Sequence, residues 1–339
     1  MKVAIIGLGF MGGMHAQIYT ALPGVELVAI ADSNVERTQS KIDQMNLTAK
    51  VFPNLKSLLS EIDVDVIDIC VPTDQHAELA IAAAQAGKHL FIEKPLSLTL
   101  ADCEAIQVAI TEAGVHAQVG QCIRFWPEYV ALKEFIESGK GGALKSLTFL
   151  RRASRPTYSQ DDWLNKEARS GGAALDLHVH DTDFVIHLLG LPKSVYSRTT
   201  QGRSGPDHIF TSYQYDQVAV QTEGGWDYPE QYGLCMAFEA VFEDASVAFN
   251  SASGAPLTLT FNDQKPTEMA VEQPGPKEST TGEGNISSLG GYFNELEYFT
   301  NCLKANKAPE IATVRQASDS LRVVLAELKS AQSEAVVIL

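Results

Sequence analysis

The sequence is short of basic residues and of long apolar runs, and each shortage excludes a class of protein. Its 339 residues include 26 Lys and Arg against 42 Asp and Glu, which gives a formal net charge of −16 at pH 7. A field of this sign repels nucleic-acid phosphates and anionic lipid surfaces. An apolar stretch of about 18 uncharged residues, the minimum for a membrane-spanning helix, is missing. We therefore expect neither a nucleic-acid nor a membrane partner.

Cysteine is scarce as well, and its spacing argues against a cross-linked or zinc-binding fold. The five cysteines never form a C-x-x-C pair; they are Cys70, Cys103, Cys122, Cys235 and Cys302. An odd number without close spacing is typical neither of a disulfide framework nor of a zinc knuckle. The apolar run after Lys2 is broken by glycines, which favours a core strand and turn over a secretory signal. The sequence thus predicts a reducing, cytoplasmic setting.

Length and residue rhythm predict two domains of the α/β class. At about 150 residues per domain, the chain corresponds to roughly two domains. In the first third, short runs rich in β-branched residues alternate with helical patterns, which is typical of a doubly wound Rossmann domain with a parallel sheet. The strands predicted there are Val3–Ile6, Val25–Ala31, Val66–Val71, His89–Ile92 and Val115–Val119.

After about residue 140 the strands become longer and alternate apolar with polar residues, which predicts a mainly antiparallel sheet. These strands are Leu144–Arg152, Ser194–Thr200, Phe210–Thr222, Tyr232–Glu243 and Ser246–Ser251. The rest is predicted to be a surface connection over Asp263–Ser288 with an edge strand at Glu268–Glu272, helices at Tyr292–Ala305 and Val314–Ala331, and a closing strand at Ala335–Leu339. We expect domains at residues 1–122 and 123–339.

A glycine-rich turn directly follows the first strand. The segment Gly7-Leu8-Gly9-Phe10-Met11-Gly12 is a G-x-G-x-x-G motif that opens a helical pattern, which is the context of a dinucleotide fingerprint. Gly7 permits the tight turn, Gly9 lets a diphosphate approach the backbone, and Gly12 lets the helix pack on the strand. The motif predicts a dinucleotide cofactor, with a flavin as an outside alternative.

An acidic residue distinguishes between two such cofactors. Asp32 ends the second strand, twenty positions after Gly12, where a carboxylate binds the adenosine ribose and repels a 2′-phosphate. One alternative is that this acid only caps the next helix. Another is that Ser33, Asn34 and Arg37 bind the 2′-phosphate of NADP. The spacing favours NAD over NADP.

Four segments together resemble a known family. They are GLGFMG at 7–12, VPTDQH at 71–76, EKPLS at 93–97 and GGAALDLHVHDTDF at 171–184. In this combination the chain resembles the Gfo/Idh/MocA oxidoreductases, which include glucose–fructose oxidoreductase and inositol dehydrogenases. The resemblance covers almost the whole chain. It implies a C-terminal α/β domain with a large open-faced sheet that lines the substrate site and often forms an oligomer interface, so we expect a homodimer or homotetramer.

Lys94 is the strongest catalytic candidate. It lies in Glu93-Lys94-Pro95 directly after the predicted strand His89–Ile92, and ligands of open α/β sheets bind at such strand ends. An ammonium there can donate a hydrogen bond to the oxygen of a reacting carbinol or carbonyl. The alternative is a surface lysine before a helix-delaying proline. Resemblance to the family's E-K-P motif favours the catalytic interpretation.

Asp176 and His180 form the second candidate group. They are four residues apart in a predicted helix over Ala173–Leu189, so they would share one face. An imidazole can exchange a proton with a substrate hydroxyl near neutral pH, while the acid fixes its tautomer. The alternative is a solvated face whose charges merely pair, and resemblance to the family's D-x-x-x-H segment favours catalysis. Asp183 either holds the helix or adds to that face.

The triplet His178-Val179-His180 suggests a metal site only at first sight. Residues two apart on a helix face different directions, and the sequence offers no third ligand at a suitable spacing. We therefore expect no metal.

The resemblance also implies contacts to the cofactor and to the substrate. The cofactor set is Gly7, Gly9, Phe10, Met11, Gly12, Asp32, Pro72, Thr73, His76, Glu93 and Lys94, and the substrate set is Lys94, Arg124, Trp163, Asp176 and His180. Trp163 could stack on the apolar face of a sugar ring while Arg124 donates to hydroxyls or a carboxylate. The alternative is that Trp163 packs on a neighbouring helix and that the arginines only decorate an acidic surface.

Three functions remain open. The first is an NAD-dependent dehydrogenase that reversibly oxidises a ring secondary alcohol of a sugar, sugar derivative or cyclitol. The second is a hydrolase or epimerase-like enzyme that retains NAD and oxidises the sugar only transiently. The third is a non-catalytic NAD-binding sensor, against which the candidate residues Lys94, Asp176 and His180 argue.

Overall fold

Two β-sheets organise the chain. The computed structural model describes residues 1–272 and 290–339, and it contains one sheet of six strands and one of nine. The described residues divide into two compact units, of which the first takes 1–122, 158–163 and 290–318. The second takes 123–157, 164–272 and 319–339. Residues 158–163 and 290–318 therefore pack with a unit whose main part lies far from them in sequence.

The first unit is built on the six-stranded sheet. Its elements are β1 (Lys2–Ile6), α1 (Phe10–Ala21), β2 (Glu26–Ala31), α2 (Val35–Gln44), β3 (Lys50–Phe52), α3 (Leu55–Glu61), β4 (Val66–Ile69), α4 (His76–Gln85), β5 (His89–Ile92), α5 (Leu100–Ala113) and β6 (Ala117–Val119). The strand order is β3-β2-β1-β4-β5-β6, and every pairing is parallel. The predicted Rossmann fold is confirmed. Sequence reasoning missed β3, because three residues are too few to show a pattern.

Local chemistry explains several of these elements. Val3, Ala4 and Ile5 in β1 are fully buried, as a central parallel strand covered on both faces requires. Asn54 begins α3 by accepting the N–H of Ser57 at 2.9 Å. Such caps satisfy amides that have no partner within the helix.

The second unit is built on the nine-stranded sheet. Its elements are α6 (Pro127–Ser138), β7 (Leu144–Ser154), α7 (Glu167–Ser170), α8 (Val179–Leu189), β8 (Ser194–Gly202), β9 (Gly205–Gln214), β10 (Ala219–Tyr228), β11 (Leu234–Phe242), β12 (Ala245–Asn250), β13 (Ala255–Phe261), β14 (Thr267–Glu268) and, at the C-terminus, β15 (Val337–Ile338). The order is β14-β13-β12-β11-β7-β10-β9-β8-β15, and only β7 and β10 pair in parallel. The predicted, mainly antiparallel sheet is confirmed.

One predicted strand is wrong. Phe210–Thr222 was expected to be continuous, but the structure has a hairpin in which β9 ends at Gln214 and β10 begins at Ala219. Tyr213 and Tyr215 before the turn and Val218 and Val220 after it each have strand spacing, and only the polar pair at 216–217 shifts the pattern between them, which concealed the break. Sequence reasoning also missed β13. The edge strand expected at Glu268–Glu272 is wrong in its bounds, since the observed strand β14 is Thr267–Glu268 and shares only Glu268 with it.

Two helices follow the connection at 263–288, most of which lies outside the described residues. They are α9 (Gly290–Lys304) and α10 (Val314–Ser333). Both were predicted within two residues of their observed bounds. From Asp319 on, α10 belongs to the second unit.

The two faces of the nine-stranded sheet differ. On one face, Tyr129 of α6, Phe184 of α8 and Phe149 of β7 pack as a buried aromatic core, with ring centroids 5.0 to 6.0 Å apart. On the other face, Phe210 remains 46% exposed and Val241 37% exposed. No helix in the described ranges 1–272 and 290–339 is long and apolar enough to span a membrane.

Candidate active site

The glycine-rich turn has the shape that a dinucleotide requires. Gly7 adopts φ = +91°, and a Cβ there would lie 2.7 Å from the carbonyl oxygen of Cys70. A Cβ on Gly12 would lie 2.0 Å from the carbonyl oxygen of Gly7. Neither position accepts a side chain without moving backbone, so the sequence is fixed there by close packing of turn, helix and strand.

Gly9 differs from its neighbours because the space beside it is open. A Cβ on Gly9 would meet no atom within 4 Å. The residue is the N-cap of α1, which has no side-chain cap and no acidic residue in its first turn. The amides at this helix end therefore face open space with the positive end of the helix dipole, which suits the diphosphate of a dinucleotide.

Asp32 is held next to this turn. One of its carboxylate oxygens, Oδ2, accepts the N–H of Leu8 at 2.9 Å and a hydrogen bond from Arg37 Nη2 at 3.1 Å. Its other oxygen accepts the N–H of Asn34 at 2.9 Å. A carboxylate fixed in this place fits the ribose hydroxyls of NAD, although Arg37 partly offsets its charge.

The segment after β4 lies at the same edge of the sheet, since β1, β4 and β5 are parallel neighbours. Pro72 precedes a 3₁₀ turn over Thr73–Gln75, and α4 follows it directly at His76. His76 is buried, with Nδ1 2.9 Å from the carbonyl oxygen of Pro95 and Nε2 2.9 Å from that of Val71. Burial lowers the pKa of His76. A neutral imidazole here joins two loops, and its contact with cofactor stays a prediction.

Lys94 is the second residue after the end of β5 and is half-buried. Its backbone N–H donates to Oε2 of Glu93 at 3.0 Å. The Glu93 carboxylate is buried and is therefore engaged inside the unit. The structure thus brings the glycine-rich turn, Asp32, the 72–76 segment and Lys94 to one edge of the sheet.

In the second unit the Asp176 segment is not the regular α-helix that was expected. Residues Ala174–His178 form a π-helical turn, and α8 begins only at Val179. Gly171 and Gly172 lead into this turn with φ of +76° and +67°, conformations that strongly favour glycine. π-turns are frequent at functional sites. Asp176 is half-buried and His180 is buried, on one continuous helical segment.

Buried ion pairs hold this helical segment in place. Asp183 accepts a bidentate pair from Arg124 at 2.7 and 2.8 Å and a hydrogen bond from Ser320 at 2.6 Å. Asp181 accepts a second bidentate pair from Arg151 at 3.0 and 2.7 Å. Asp183 therefore holds the helix, which was one of its two predicted roles. Arg124 has a structural partner, and its contact with substrate stays a prediction.

His178 is also engaged in the core. Its Nε2 lies 2.9 Å from a carboxylate oxygen of Glu327 on α10, and both side chains are fully buried. The other oxygen of Glu327 accepts hydrogen bonds from Thr182 at 3.0 Å and Tyr213 at 2.7 Å. Sequence reasoning missed Glu327, because it lies about 150 residues from His178. The one signal in the sequence is an acidic residue at a core-facing position of an amphipathic helix.

Trp163 lies in the first unit, in a turn over Gln160–Asn165, and is half-buried. Its stacking on a sugar stays a prediction. Nearby in the chain, Tyr158 is 53% exposed, and its ring centroid lies 5.4 Å from that of Phe10 in the glycine-rich motif. This contact joins Tyr158 to the glycine-rich turn. The sequence analysis did not identify Tyr158 as a candidate residue.

Comparisons with known proteins agree with this geometry. Residues 1–121 match the model of the GFO_IDH_MocA oxidoreductase family with its NAD-binding Rossmann fold, and residues 129–269 match the model of the GFO/IDH/MocA C-terminal domain. Among solved structures, levoglucosan dehydrogenase in complex with NADH and levoglucosan has a TM-score of 0.85 at 22% identity, covering 100% of this chain and 99% of the other. That likeness shows the fold.

Two curated relatives from Bacillus subtilis differ in extent. The uncharacterized oxidoreductase YrbE is 32% identical over 186 residues, which is 55% of this chain and 53% of that protein. This match therefore spans only about half of its relative. The scyllo-inositol 2-dehydrogenase (NAD⁺) is 27% identical over 341 residues, which is 97% of this chain and 94% of that protein.

Proposed function

Because the chain belongs to the Gfo/Idh/MocA family of NAD-binding oxidoreductases, we propose that it is a dehydrogenase of a ring secondary alcohol in a cyclitol, sugar or sugar derivative. The reaction yields the ring ketone and is reversible. The cofactor is NAD, as the family's Rossmann fold requires. Support for the substrate class comes from the full-length likeness to a scyllo-inositol dehydrogenase and the shared fold of a levoglucosan dehydrogenase.

The first unit holds the cofactor. The amides at the start of α1 bind the diphosphate beside Gly9, and Asp32 accepts hydrogen bonds from the adenosine ribose. NAD, when bound, accepts the hydride from the carbinol carbon. The open space at Gly9, next to two glycines that admit no side chain, is the observation that carries this assignment.

The proton and the developing charge are handled by three side chains. His180 takes the proton of the substrate hydroxyl as general base, and Asp176 fixes the imidazole tautomer. Lys94 donates a hydrogen bond to the carbinol oxygen and stabilises the negative charge that develops there as the proton leaves, before transfer of the hydride gives the neutral ketone. Lys94 comes from the first unit and the other two from the second, so the proposal requires that they act on one substrate.

Turnover of a substrate panel tests the proposal. Purified protein is incubated with cyclitols, hexoses and anhydrosugars plus NAD or NADP, and reduced cofactor is followed by its absorbance. A dehydrogenase releases one NADH for each ketone formed. A product formed without accumulating NADH would instead indicate the hydrolase or epimerase-like chemistry, and binding of NAD without any turnover would indicate a sensor.

We also propose that the active protein is a cytoplasmic homodimer or homotetramer. The outer face of the nine-stranded sheet exposes Phe210 and Tyr196 on the adjacent strands β9 and β8, and Val241 on β11, at 36 to 46% of their surface. Such a face is costly to leave in water, and a second copy of the chain would cover it. A monomer mass by light scattering at micromolar concentration would refute this assembly.

A further inference from the structure

A cluster of buried ionisable groups lies inside the first unit, behind the Lys94 turn. Its centre is His15 on α1, which is fully buried. The imidazole Nδ1 lies 2.8 Å from Oδ2 of Asp68 on β4, and Nε2 lies 3.1 Å from Oε1 of Glu93 after β5. The imidazole is therefore hydrogen-bonded to Asp68 and lies within ion-pair distance of Glu93, without hydrogen-bond geometry between Nε2 and Oε1.

Glu93 links this imidazole to Lys94. While Oε1 faces His15, Oε2 accepts the backbone N–H of Lys94 at 3.0 Å. Gly120 closes the remaining side, since a Cβ there would lie only 3.1 Å from the carboxyl carbon of Glu93. The carboxylate thus has one orientation available, and the backbone of Lys94 is tied to it.

Protonation of His15 offsets one of the two negative charges in the cluster. Burial acts to lower the pKa of His15, but the charge and the hydrogen bond of Asp68 help to raise it well above its usual value. Burial also raises the pKa of the Cys70 thiol, which keeps that group neutral. The result is an imidazolium between the carboxylates of Asp68 and Glu93.

Glu295 of α9 completes the cluster. Its carboxylate oxygens have no hydrogen-bond partner in the described part of the chain, and one of them lies within 4.8 Å of both His15 and Glu93. Burial, followed by the charge of Glu93, raises the pKa of Glu295 well above its usual range. A neutral carboxylic acid at this position adds no further negative charge to the cluster. The same three side chains could otherwise bind a divalent cation.

We propose that His15 and Glu93 are positioning residues for Lys94. The His15 imidazolium holds the Glu93 carboxylate, and the carboxylate holds the backbone from which the Lys94 ammonium extends. His15 belongs to α1, the helix that begins at the glycine-rich turn. The same contact therefore ties this turn to Lys94. The inference rests on the catalytic role proposed for Lys94.

A double-mutant cycle tests the inference. The single variants Glu93→Gln and His15→Gln are compared with Lys94→Met, and each is then combined with it. We expect either Gln variant to lower kcat about ten- to a hundredfold, as a small misplacement of a catalytic group does, while the NAD dissociation constant stays within about twofold. In the Lys94→Met background the same substitutions should cause no further loss in kcat.

The controls separate the possible failures. Absence of turnover in the wild type would refute the proposed function, whereas near-normal turnover of Lys94→Met would refute the catalytic role of Lys94 on which the inference rests. Losses that multiply in the double variants, or a loss confined to NAD affinity, would refute the positioning role while leaving the function intact. Glu295→Gln keeps a neutral side chain, so its kcat should fall less than about threefold. If one Gln variant does not fold, the other carries the same prediction.

Metal content provides an independent readout. The purified protein, analysed by mass spectrometry of its metals after dialysis, should contain no stoichiometric divalent cation. A bound metal that is present at one per chain and lost in His15→Gln would overturn the inference, because the cluster would then be a cation site.

Discussion

The two units prepare their parts of the candidate site by different physical means. In the first unit, backbone shapes the site: close packing at Gly7 and Gly12 leaves amides facing the open space at Gly9. In the second unit, buried side chains shape it: bidentate Arg–Asp pairs and the His178–Glu327 pair fix the helix that carries Asp176 and His180. Backbone packing therefore shapes the proposed cofactor site, and buried ion pairs hold the helical segment that carries the proposed general base His180.

The largest effect on stability should come from breaking the buried pair in the second unit. Asp183→Asn leaves the Arg124 guanidinium, 1% exposed, without its counter-charge. Breaking one partner of such a pair costs about 3–5 kcal/mol of unfolding free energy. Chemical denaturation measures the loss. Lys133→Gln removes an exposed pair with Glu137 and is the matched control, with an expected change below about 1 kcal/mol.

The glycine-rich turn allows a contrast within the first unit. Gly9→Ala should keep the melting temperature but weaken NAD binding about ten- to a hundredfold, since the methyl group enters the open space where the diphosphate binds. Gly12→Ala should lower both the melting temperature and the affinity for NAD, because its Cβ would lie 2.0 Å from the carbonyl oxygen of Gly7. Calorimetry of binding and thermal melts distinguish the two. Unchanged NAD affinity in Gly9→Ala would show that the loop does not hold the diphosphate.

Cofactor choice should depend on Asp32. Replacing it with Ala removes the ribose acceptor and leaves Arg37 to attract a 2′-phosphate, so the preference for NAD over NADP should fall at least about tenfold. Side-by-side titrations of both cofactors measure the ratio. A wild-type protein that prefers NADP would contradict this account of Asp32.

The smallest effect concerns pH. Burial, assisted by the charge of Arg124, lowers the pKa of His187 on α8 from 6.5 to about 4. The folded state therefore binds fewer protons than the unfolded state between these values, and His187 contributes stability above pH 6.5 that is lost as the pH falls toward 4. Urea unfolding at pH 7 and pH 5 should show a smaller decrease in His187→Gln than in the wild type. Equal decreases would rule out this assignment.

Local patterns were sufficient for the glycine-rich turn and Asp32 and insufficient for the buried contacts around the candidate site. The glycine-rich turn and Asp32 follow strands directly, so consecutive residues revealed them. The pairs His15–Asp68 and Arg124–Asp183 join residues 53 and 59 positions apart, and no local pattern connects them. The hairpin after β9 was missed for a different reason, since strand spacing on both sides of the turn is interrupted only at residues 216–217.

The π-turn was also beyond sequence reasoning. Apolar spacing over 173–189 correctly predicted a helix, but spacing does not distinguish a π-turn from an α-turn over five residues. The paired glycines at 171 and 172 are the one local sign of unusual backbone there, because both adopt positive φ.

The central claim is that Lys94 of the first unit and His180 of the second serve one transition state. A double-mutant cycle of Lys94→Met and His180→Ala, with kcat and NAD affinity measured on an established cyclitol or sugar substrate, tests it most directly. Each single change should lower kcat by about two to four orders of magnitude, and the double variant should be about as slow as the slower single one. NAD affinity should change less than about threefold. Losses that multiply, or near-normal turnover in either single variant, would contradict the claim.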